Sequence, residues 1–484
     1  MNFKGVYRIL GFVVGLEGVF FLLPALVGLI YKEYEGVLAY GVTAAVCVLL
    51  ALFITKVLVK KDSVAKGFYG KEGFVATSLS WILMSLIGAV PFRVTGDIPN
   101  YLDAVFETVS GFTTTGASIV RDVEVMLHCN LFFRSFTHWL GGMGVLVFIL
   151  AIMPMAGGSP LSLMKAESPG PTVSKLVPKA QKTAIILYEL YIALTLLEFL
   201  LIVFDPSINV FQAICHTFGT AGTGGFGVLN DSVASFSDYV KIVTTVFMLL
   251  FGLNFSFYYL LIMKRFKEAL HLEEIKWYMG IYFGAVILMI ADLAIKGYGL
   301  GKNLIAVFFS CASVMTTTGY TVADFGEWPT FTHVIFFTLM FVGGCAGSTG
   351  GGFKVARILL LVKQVGRDVR KQIHPNRITT IKADGKAVSE EVLASTNRLF
   401  ITYVIILALS TLLIALDGFD FQTTFAAVMS TYNNIGVGLA DICVGDSFAM
   451  FSSTSKVVMI FDMLFGRLEI IPMLLLISPS TWKK

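Results

Sequence analysis

The chain has 484 residues, of which 56% are hydrophobic and only 14% are charged, and its mean hydropathy is +0.80. A soluble domain carries about 25% charged residues and about 45–50% apolar ones, so this composition excludes an ordinary soluble protein. The net charge of +4 decides little by itself, and the six cysteines form no CxxC pair, so neither a zinc site nor a redox motif is predicted.

Apolar stretches long enough to cross a bilayer, about 20 residues each, follow one another along the whole chain. They lie at 5–31, 37–59, 73–95, 131–155, 182–204, 238–263, 277–296, 331–345 (continuing after a break), 398–417 and 449–478. The first run is too long for a signal peptide and is followed by no small-residue cleavage site. The connections alternate between basic and acidic. Because Lys and Arg accumulate in cytoplasmic loops, we expect the basic segments and both termini in the cytoplasm.

Four short segments resemble one another and are spaced by roughly a quarter of the chain. They read VSGFTTTGAS (109–118), TFGTAGTGGFG (217–227), ASVMTTTGYTV (312–322) and MSTYNNIGVGL (429–439), and they align on Gly116, Gly224, Gly319 and Gly436. Before each segment comes an apolar stretch too short to span, at 101–112, 209–219, 303–315 and 421–432. The predicted units are an N-terminal helix pair (1–70) and four repeats (71–165, 166–270, 271–385 and 386–484), the third of which contains an intramembrane gating loop.

A pore would explain why polar loops lie at membrane depth. Irregular backbone is tolerated there only where it lines water or is buried in protein. Four such loops, each at the C-terminal end of a half-helix, can direct carbonyl oxygens and negative helix-dipole ends at a cation on a common axis. Glycine suits the turning point because it adopts a positive φ without steric cost. The alternative for any one copy is an ordinary external turn, but four copies in the same context favour the pore.

Several longer motifs carry a family resemblance. They are HWLGGMG (138–144), FVGGCAGSTGGG (341–352), NNIGVGL (433–439) and FGRLEI (465–470). With the four repeated segments, they make the chain resemble the Trk/Ktr/HKT superfamily of potassium transporters, specifically its bacterial TrkH-type branch, over essentially the whole length. The extra N-terminal helix pair favours the Trk-type over the Ktr-type branch.

The resemblance implies a potassium filter lined by the backbone of four loops. Its residues are Thr113, Thr114, Thr115 and Gly116; Ala221, Gly222, Thr223 and Gly224; Thr316, Thr317, Thr318 and Gly319; and Asn433, Asn434, Ile435 and Gly436. Plant members that favour sodium carry serine at the position of Gly116, so the glycine indicates potassium. Ala221 and Gly222 are smaller than is usual in the family, from which we expect a looser second loop.

Two elements are predicted to gate the pore. The first is a glycine-rich run expected to be non-helical and mobile, and by resemblance it blocks the pore below the filter. It comprises Gly343, Gly344, Gly347, Ser348, Thr349, Gly350, Gly351 and Gly352. A phosphate loop is excluded because GK[ST] is absent. The second is Arg467, an intramembrane charge that costs at least about 2.5 kcal/mol and would repel cations. The alternative is a paired, purely structural arginine. We expect Glu469 to pair with another polar group.

Further polar residues and cysteines lie near the predicted half-helices and spans. Asp103 and Glu107 either attract cations or cap the first half-helix, and Cys129 could pair with Cys443. His138 and His216 are expected to be buried histidines rather than ligands. The GxGxxG match at 222–227 follows no predicted strand, so it predicts no dinucleotide site. Glu198, inside a predicted span, has no role that the sequence indicates.

The predicted fold is therefore an all-α integral membrane protein with two peripheral helices and four helix–pore loop–helix repeats around a pseudo-fourfold axis. The predicted function is channel-like, potassium-selective uptake across a bacterial or archaeal plasma membrane; the alternative is potassium symport coupled to sodium or protons. No nucleophile–base pair or metal cluster indicates an enzyme. Potassium is the transported ion, and no covalently bound cofactor is expected. The resemblance implies a homodimer and a cytoplasmic, nucleotide-binding regulatory ring of the TrkA type, besides membrane lipid; no nucleic-acid partner is expected.

Overall fold

The computed structural model describes residues 1–58, 70–144, 180–376, 379–438 and 447–482. Nearly all regular structure in these ranges is helical, as the apolar composition predicts. A two-residue hairpin pairs β1 (Lys382–Ala383) with β2 (Lys386–Ala387) in antiparallel register. The expected all-α membrane fold is confirmed.

The N-terminal pair consists of α1 (Phe3–Phe20) with α2 (Leu22–Tyr31), and α3 (Tyr34–Phe53), which continues as a π-helical turn (Ile54–Leu58). The predicted span 5–31 is thus two helices in sequence, separated at Phe21. Small residues on α1 let α3 approach closely: a Cβ at Gly15 would lie 2.9 Å from Ala51 Cβ, and one at Gly18 would lie 2.9 Å from Cys47 Cβ.

Each repeat begins with a long helix and continues with a half-helix. The long helices are α4 (Gly70–Thr95), α7 (Ala180–Ile202), α12 (Glu273–Ile295) and α16 (Glu390–Ile414). The half-helices are α5 (Tyr101–Phe112), α8 (Val210–Gly222), α13 (Leu300–Met315) and α17 (Phe421–Tyr432). At about 1.5 Å per residue they are too short for a hydrocarbon core of about 30 Å, so each ends within the membrane.

The second helix of the first repeat is followed by described residues only as far as Gly144, whereas in each of the other three repeats the second helix is interrupted and followed by another helix. These helices are α6 (His128–Gly142); α9 (Asp238–Phe251) and α10 (Phe255–Ile262); α14 (Thr330–Val342) and α15 (Val355–Ile373); and α18 (Ser453–Arg467) and α19 (Ile471–Ile477). The predicted break in the eighth span is confirmed. The spans predicted at 238–263 and 449–478 each consist of two helices separated by a break. In the first, the axis bends by 89° where Asn254 caps a new helix by accepting a hydrogen bond from Ser256 N.

In the second, Ile470 has φ +66° and ψ −54°, and Ile471 N donates to the carbonyl of Glu469, which is a positive-φ γ-turn. Because of these breaks, six of the described helices are long and apolar enough to cross a membrane, or seven if the bent pair counts as one. The second half of the predicted span 131–155 lies outside the described residues.

The remaining short elements are two helices, α11 (Phe266–Leu270) and α20 (Pro479–Trp482), and 3₁₀ turns at Phe325–Glu327, Ala415–Asp417 and Phe448–Met450. The helices share a continuous apolar core, while large apolar side chains also cover the outside. On α16, Ile401, Ile405 and Leu412 are more than half exposed. An exposed apolar surface of this kind is expected where lipid surrounds the protein.

Candidate functional site

The four loops that follow the half-helices have the same backbone conformation. Each contains two residues with positive φ, separated by one residue: Thr114 and Gly116, Thr223 and Gly225, Thr317 and Gly319, Asn434 and Gly436. The intervening residue donates its N–H to the carbonyl five positions earlier: Thr115 to Ser110, Gly224 to Gly219, Thr318 to Ser313 and Ile435 to Ser430. The loops are therefore loop 1 (113–116), loop 2 (222–225), loop 3 (316–319) and loop 4 (433–436).

This comparison corrects the predicted alignment of the second repeat by one residue. The equivalent of Gly116 is Gly225, with φ +78°, and not Gly224. Ala221 is still part of α8 and occupies the position of Phe112, the last residue of α5. The sequence alignment was displaced by one residue because loop 2 contains three glycines, Gly222, Gly224 and Gly225, which only the backbone conformation distinguishes.

The four loops close into a ring. A Cβ added at Gly116 would overlap the carbonyl oxygen of Gly224 in the next loop. The same relationship recurs from Gly225 to Thr318, from Gly319 to Ile435 and from Gly436 back to Thr115. Glycine is therefore required twice at these positions: for its positive φ, and because a neighbouring carbonyl lies where a side chain would be. The four repeats are arranged in chain order around one axis.

A cavity of about 120 Å³ lies at one mouth of this ring, lined by all four of its positive-φ glycines, Gly116, Gly225, Gly319 and Gly436. The polar side chains of the loops are buried and largely bonded to one another. Thr113 and Thr115 hydroxyls lie 2.8 Å apart, and those of Thr316 and Thr318 lie 2.7 Å apart. Asn434 Nδ2 donates to Thr115 Oγ1 at 2.9 Å, which connects loop 4 with loop 1.

A buried ion pair beside this cavity was not predicted. Arg134 Nε lies 2.7 Å from Glu107 Oε1, with side-chain exposures of 2% and 0%. Its guanidinium carbon also lies 4.1 Å from the centre of the Phe226 ring. The sequence feature that could have indicated this pair is the position of Arg134 within the predicted span 131–155. The expectation that Glu107 either attracts cations or caps α5 is wrong, because it is paired and Asn100 provides the cap.

Asp103 is likewise engaged, since its carboxylate lies 2.9 Å from Lys456 Nζ. Among the histidines, His216 is buried and bonded to Thr244 at 2.7 Å, as expected for a structural residue. Cys129 is a buried free thiol, and its proposed partner Cys443 lies outside the described residues. No group of three potential metal ligands occurs in the ranges that the structure describes.

The glycine-rich segment (343–352) packs against the opposite side of the ring. Gly351 N donates to Thr317 Oγ1 at 2.6 Å. A Cβ at Gly350 would lie 2.8 Å from the carbonyl oxygen of Thr316, and one at Gly351 would overlap that of Asn433. Side chains are thus excluded where the segment meets loops 3 and 4.

The segment is folded back on itself and held from several sides. A Cβ at Gly343 would lie 2.9 Å from Gly352 Cα, and Gly344 O accepts from Val355 N at 3.1 Å. Ser348 Oγ donates to the carbonyl of Cys345. Hydrogen bonds to other parts of the protein also hold the segment, including Phe255 N to Gly347 O at 3.1 Å, Cys345 N to Gly252 O at 3.0 Å, and Ala346 N to Glu274 Oε1 at 2.5 Å.

Arg467 lies where the loops, the segment and α6 meet. Its guanidinium donates to Thr349 O at 2.8 Å, to Gly142 O at 2.9 Å and to Thr114 Oγ1 at 3.2 Å, and also to Gly141 O. Glu469 forms an ion pair of 2.6 Å with Arg357, so its expected pairing is confirmed. The predicted gate residues are thus brought together in space, directly beside the ring.

The comparisons with known proteins agree with this architecture. A family model described as TrkH, cation transport protein, matches residues 42–484. The chain belongs to the TrkH family. A TrkH relative, the Trk system potassium uptake protein TrkH of Escherichia coli K12, is 35% identical over all of both chains. The Trk system potassium uptake protein TrkG of the same organism is 32% identical, covering 99% of this chain and 98% of the relative.

A solved structure of the TrkH family gives the same result for the fold. The crystal structure of the potassium transporter TrkH from Vibrio parahaemolyticus superposes with a TM-score of 0.83 at 30% identity, and each chain is covered completely. The N-terminal pair and the four repeats of this TrkH-family chain are therefore a multi-pass membrane fold already known from experiment.

Proposed function

We propose that this protein takes up potassium across the plasma membrane, conducting it through the ring of loops 1–4. The observation that carries the proposal is the closed ring in which each loop's glycine lies against the carbonyl oxygen of the next loop. The names of the TrkH and TrkG relatives, which refer to potassium uptake, support the choice of ion.

The proposed filter is lined by backbone carbonyls of loops 1–4, which replace the hydration shell of the ion. The half-helices α5, α8, α13 and α17 direct their C-terminal dipole ends at the same axis and favour a positive charge there. Contacts around the ring hold each carbonyl in place, so the geometry does not adapt freely to a smaller ion. A negative interior contributes about 2.3 kcal/mol per 100 mV for each potassium ion that enters.

The glycine-rich segment and Arg467 form the proposed gate. The segment occupies the side of the ring opposite the cavity, bonded to Thr317, and the guanidinium adds a positive charge at the same level. Conduction then requires the segment to leave Thr317 and Arg467. Glycines make such a movement inexpensive because they restrict the backbone little.

We also propose that both termini and the basic connections are cytoplasmic, and that a nucleotide-binding regulatory ring of the TrkA type docks there. Dimerisation has a candidate surface on α15. Four side chains spaced by three or four residues form an apolar stripe, 48–65% exposed: Val362, Val365, Val369 and Ile373. Val365→Cys is expected to cross-link two copies in native membranes, whereas Lys371→Cys, on the same helix but outside the stripe, serves as the control.

Tracer uptake tests the function directly. Purified protein is placed in liposomes loaded with potassium, and rubidium uptake is measured with and without excess external sodium. We expect uptake that sodium does not suppress. Uptake that appears only after a nucleotide-binding ring is added would indicate partner-dependent gating. Sodium-sensitive uptake would contradict potassium selectivity.

Proton-coupled symport is the second candidate, favoured by one observation. Glu198, on α7, is fully buried and forms no ion pair within the described part of the chain. Buried carboxyls within membrane spans serve as proton relays in pumps and transporters. Coupling predicts that an inward proton gradient drives rubidium accumulation and that Glu198→Gln abolishes this effect. The channel proposal predicts that uptake follows the membrane potential alone and is unchanged by the substitution.

A further inference from the structure

Loop 2 lacks side chains at positions where the other loops have them. The residue preceding the positive-φ glycine is Thr115 in loop 1, Thr318 in loop 3 and Ile435 in loop 4, but it is Gly224 in loop 2. The two threonines are fixed by hydrogen bonds to Thr113 and Thr316 in their own loops. Loop 2 has no side chain at the position of Thr115 and Thr318, although the Thr223 hydroxyl donates to the neighbouring carbonyl of Gly222 at 2.7 Å.

His138 of α6, in the first repeat, fills this volume. A Cβ at Gly224 would overlap the Cγ and Nδ1 atoms of the imidazole, and a Cβ at Gly222 would overlap the carbonyl of the same residue. The space that the small residues leave beside the second loop is thus occupied by His138. The imidazole lies against the Cα of Gly224, whose carbonyl oxygen meets Gly116 in the ring.

The imidazole is itself fixed in position. Nδ1 donates a hydrogen bond of 2.8 Å to the carbonyl of Gly111, near the end of half-helix α5. The ring centre lies 4.2 Å from that of Phe226, and the residue is fully buried. Because it is held by α5 and packs on loop 2, His138 connects the half-helix that precedes loop 1 with the backbone of loop 2.

We propose that His138 is a positioning residue for ion selectivity: its imidazole occupies the place of the side chain missing from Gly224 and fixes the Gly224 carbonyl. This inference rests on the proposed function, since it assumes that this carbonyl faces the ion. A histidine that only fills the core would affect stability and leave the preference for potassium over sodium unchanged.

A size-swap experiment tests the proposal. Gly224 does not have a positive φ, so alanine is compatible with its backbone, and the collision is with the imidazole. In proteoliposomes, Gly224→Ala should lower the rubidium-to-sodium uptake ratio about tenfold. His138→Ala should also lower it. The double variant should exceed Gly224→Ala in this ratio, because the collision is removed, so the two effects are not additive.

Gly225→Ala is the matched control in the same loop. Its Cβ would overlap the carbonyl of Thr318, and its φ is +78°. The imidazole is not the obstacle there, so adding His138→Ala should leave the selectivity of Gly225→Ala unimproved. Equal improvement of both alanine variants would overturn the proposal, since it would indicate a general loosening of the loops.

A second measurement does not require an open gate: the increase in melting temperature that potassium produces, relative to sodium, in detergent-purified protein. We expect this difference between potassium and sodium to decrease in Gly224→Ala and to recover in the double variant with His138→Ala. If the Gly224→Ala variant folds only when His138→Ala is also present, this result would likewise indicate the expected collision between the new methyl group and the imidazole. Unchanged selectivity in Gly224→Ala, or strictly additive effects, would overturn the proposal. A native protein that shows no preference for potassium would instead contradict the proposed function.

Discussion

Arg467 donates a hydrogen bond of 2.8 Å to the carbonyl oxygen of Thr349, which ties the broken last helix of the fourth repeat to the glycine-rich segment of the third. The same guanidinium reaches Thr114 in loop 1 at 3.2 Å. One side chain therefore holds the proposed gate against the proposed filter and also places a positive charge beside the ion's path. In the proposed mechanism, both effects oppose conduction.

Removing this side chain should increase flux. Arg467→Ala releases Thr349 and removes the repulsion, so we expect rubidium uptake per molecule to rise by about tenfold or more, corresponding to about 1.4 kcal/mol in the barrier. Lys456→Ala is the control, since it removes a positive charge from the same helix, where it pairs with Asp103. Unchanged or lower flux in a normally folded Arg467→Ala protein would support a purely structural arginine.

Substitution of a ring glycine should reduce the selectivity for potassium over sodium, and a loss of protein stability should not by itself account for this reduction. In Gly116→Ser the new Cβ overlaps the Gly224 carbonyl, and its displacement is expected to abolish the resistance of rubidium uptake to external sodium. The control is Gly418→Ser, where φ is +83° but no atom lies within 4 Å of the added Cβ. It bears comparable backbone strain and should retain selectivity. Flux indifferent to Gly116→Ser would mean that the filter lies elsewhere.

The contact between Thr317 and Gly351 should hold the gate closed. Thr317→Val keeps the shape but leaves Gly351 N without its acceptor, which destabilises the present position of the segment by about 1–3 kcal/mol. We expect higher uptake in the absence of any partner protein. Thr411→Val, whose hydroxyl donates only locally to Leu407 O, is the control. Lower uptake in Thr317→Val than in Thr411→Val would count against a gating role.

The N-terminal pair should depend on Glu33, in the turn between α2 and α3, for its attachment to α6. Its carboxylate accepts from His128 N at 2.8 Å and Cys129 N at 3.0 Å. Burial raises the pKa of Glu33, but these hydrogen bonds outweigh it, and the net pKa lies below the usual value. The resulting stabilisation is present above the unfolded-state pKa of about 4.3 and is lost as the pH falls through the lower folded-state pKa.

Glu33→Gln should therefore lower the melting temperature at pH 7, by an amount corresponding to about 1–2 kcal/mol. The difference from the native protein should disappear as the pH falls through the native pKa of this carboxyl. Thermal unfolding in detergent between pH 3 and pH 8, with the exposed Glu35→Gln as control, measures this dependence. A difference that is the same at every pH would contradict the assigned role.

Much of the fold could be predicted because it depends on local patterns. The half-helices 101–112 and 421–432 were predicted with the bounds that the structure gives. Asn100 and Asp420 cap these half-helices, and polar, glycine-containing loops follow them. Both boundaries of each half-helix are therefore determined by residues that are close in sequence. The interruption at 343–352 was similarly predictable from its glycines.

What the sequence could not provide depends on conformation or on distant contacts. The apolar pattern continues from Phe251 to Phe255 across an 89° bend, so hydropathy alone indicates one helix. Loop 2 contains three glycines, and only their φ values distinguish Gly225 from Gly224. The hydrogen-bond partners of Arg467 and the loop 2 glycines beside His138 belong to other repeats, which no local pattern brings together.

Locating the ion itself tests the central proposal most directly. Crystals of the protein grown with rubidium in place of potassium would be measured at the rubidium absorption edge. The pore proposal predicts anomalous density on the axis surrounded by the carbonyls of Thr115, Gly224, Thr318 and Ile435, and its loss when sodium replaces rubidium. Ordered loops without such density, or rubidium bound only away from this axis, would contradict a filter formed by these four loops.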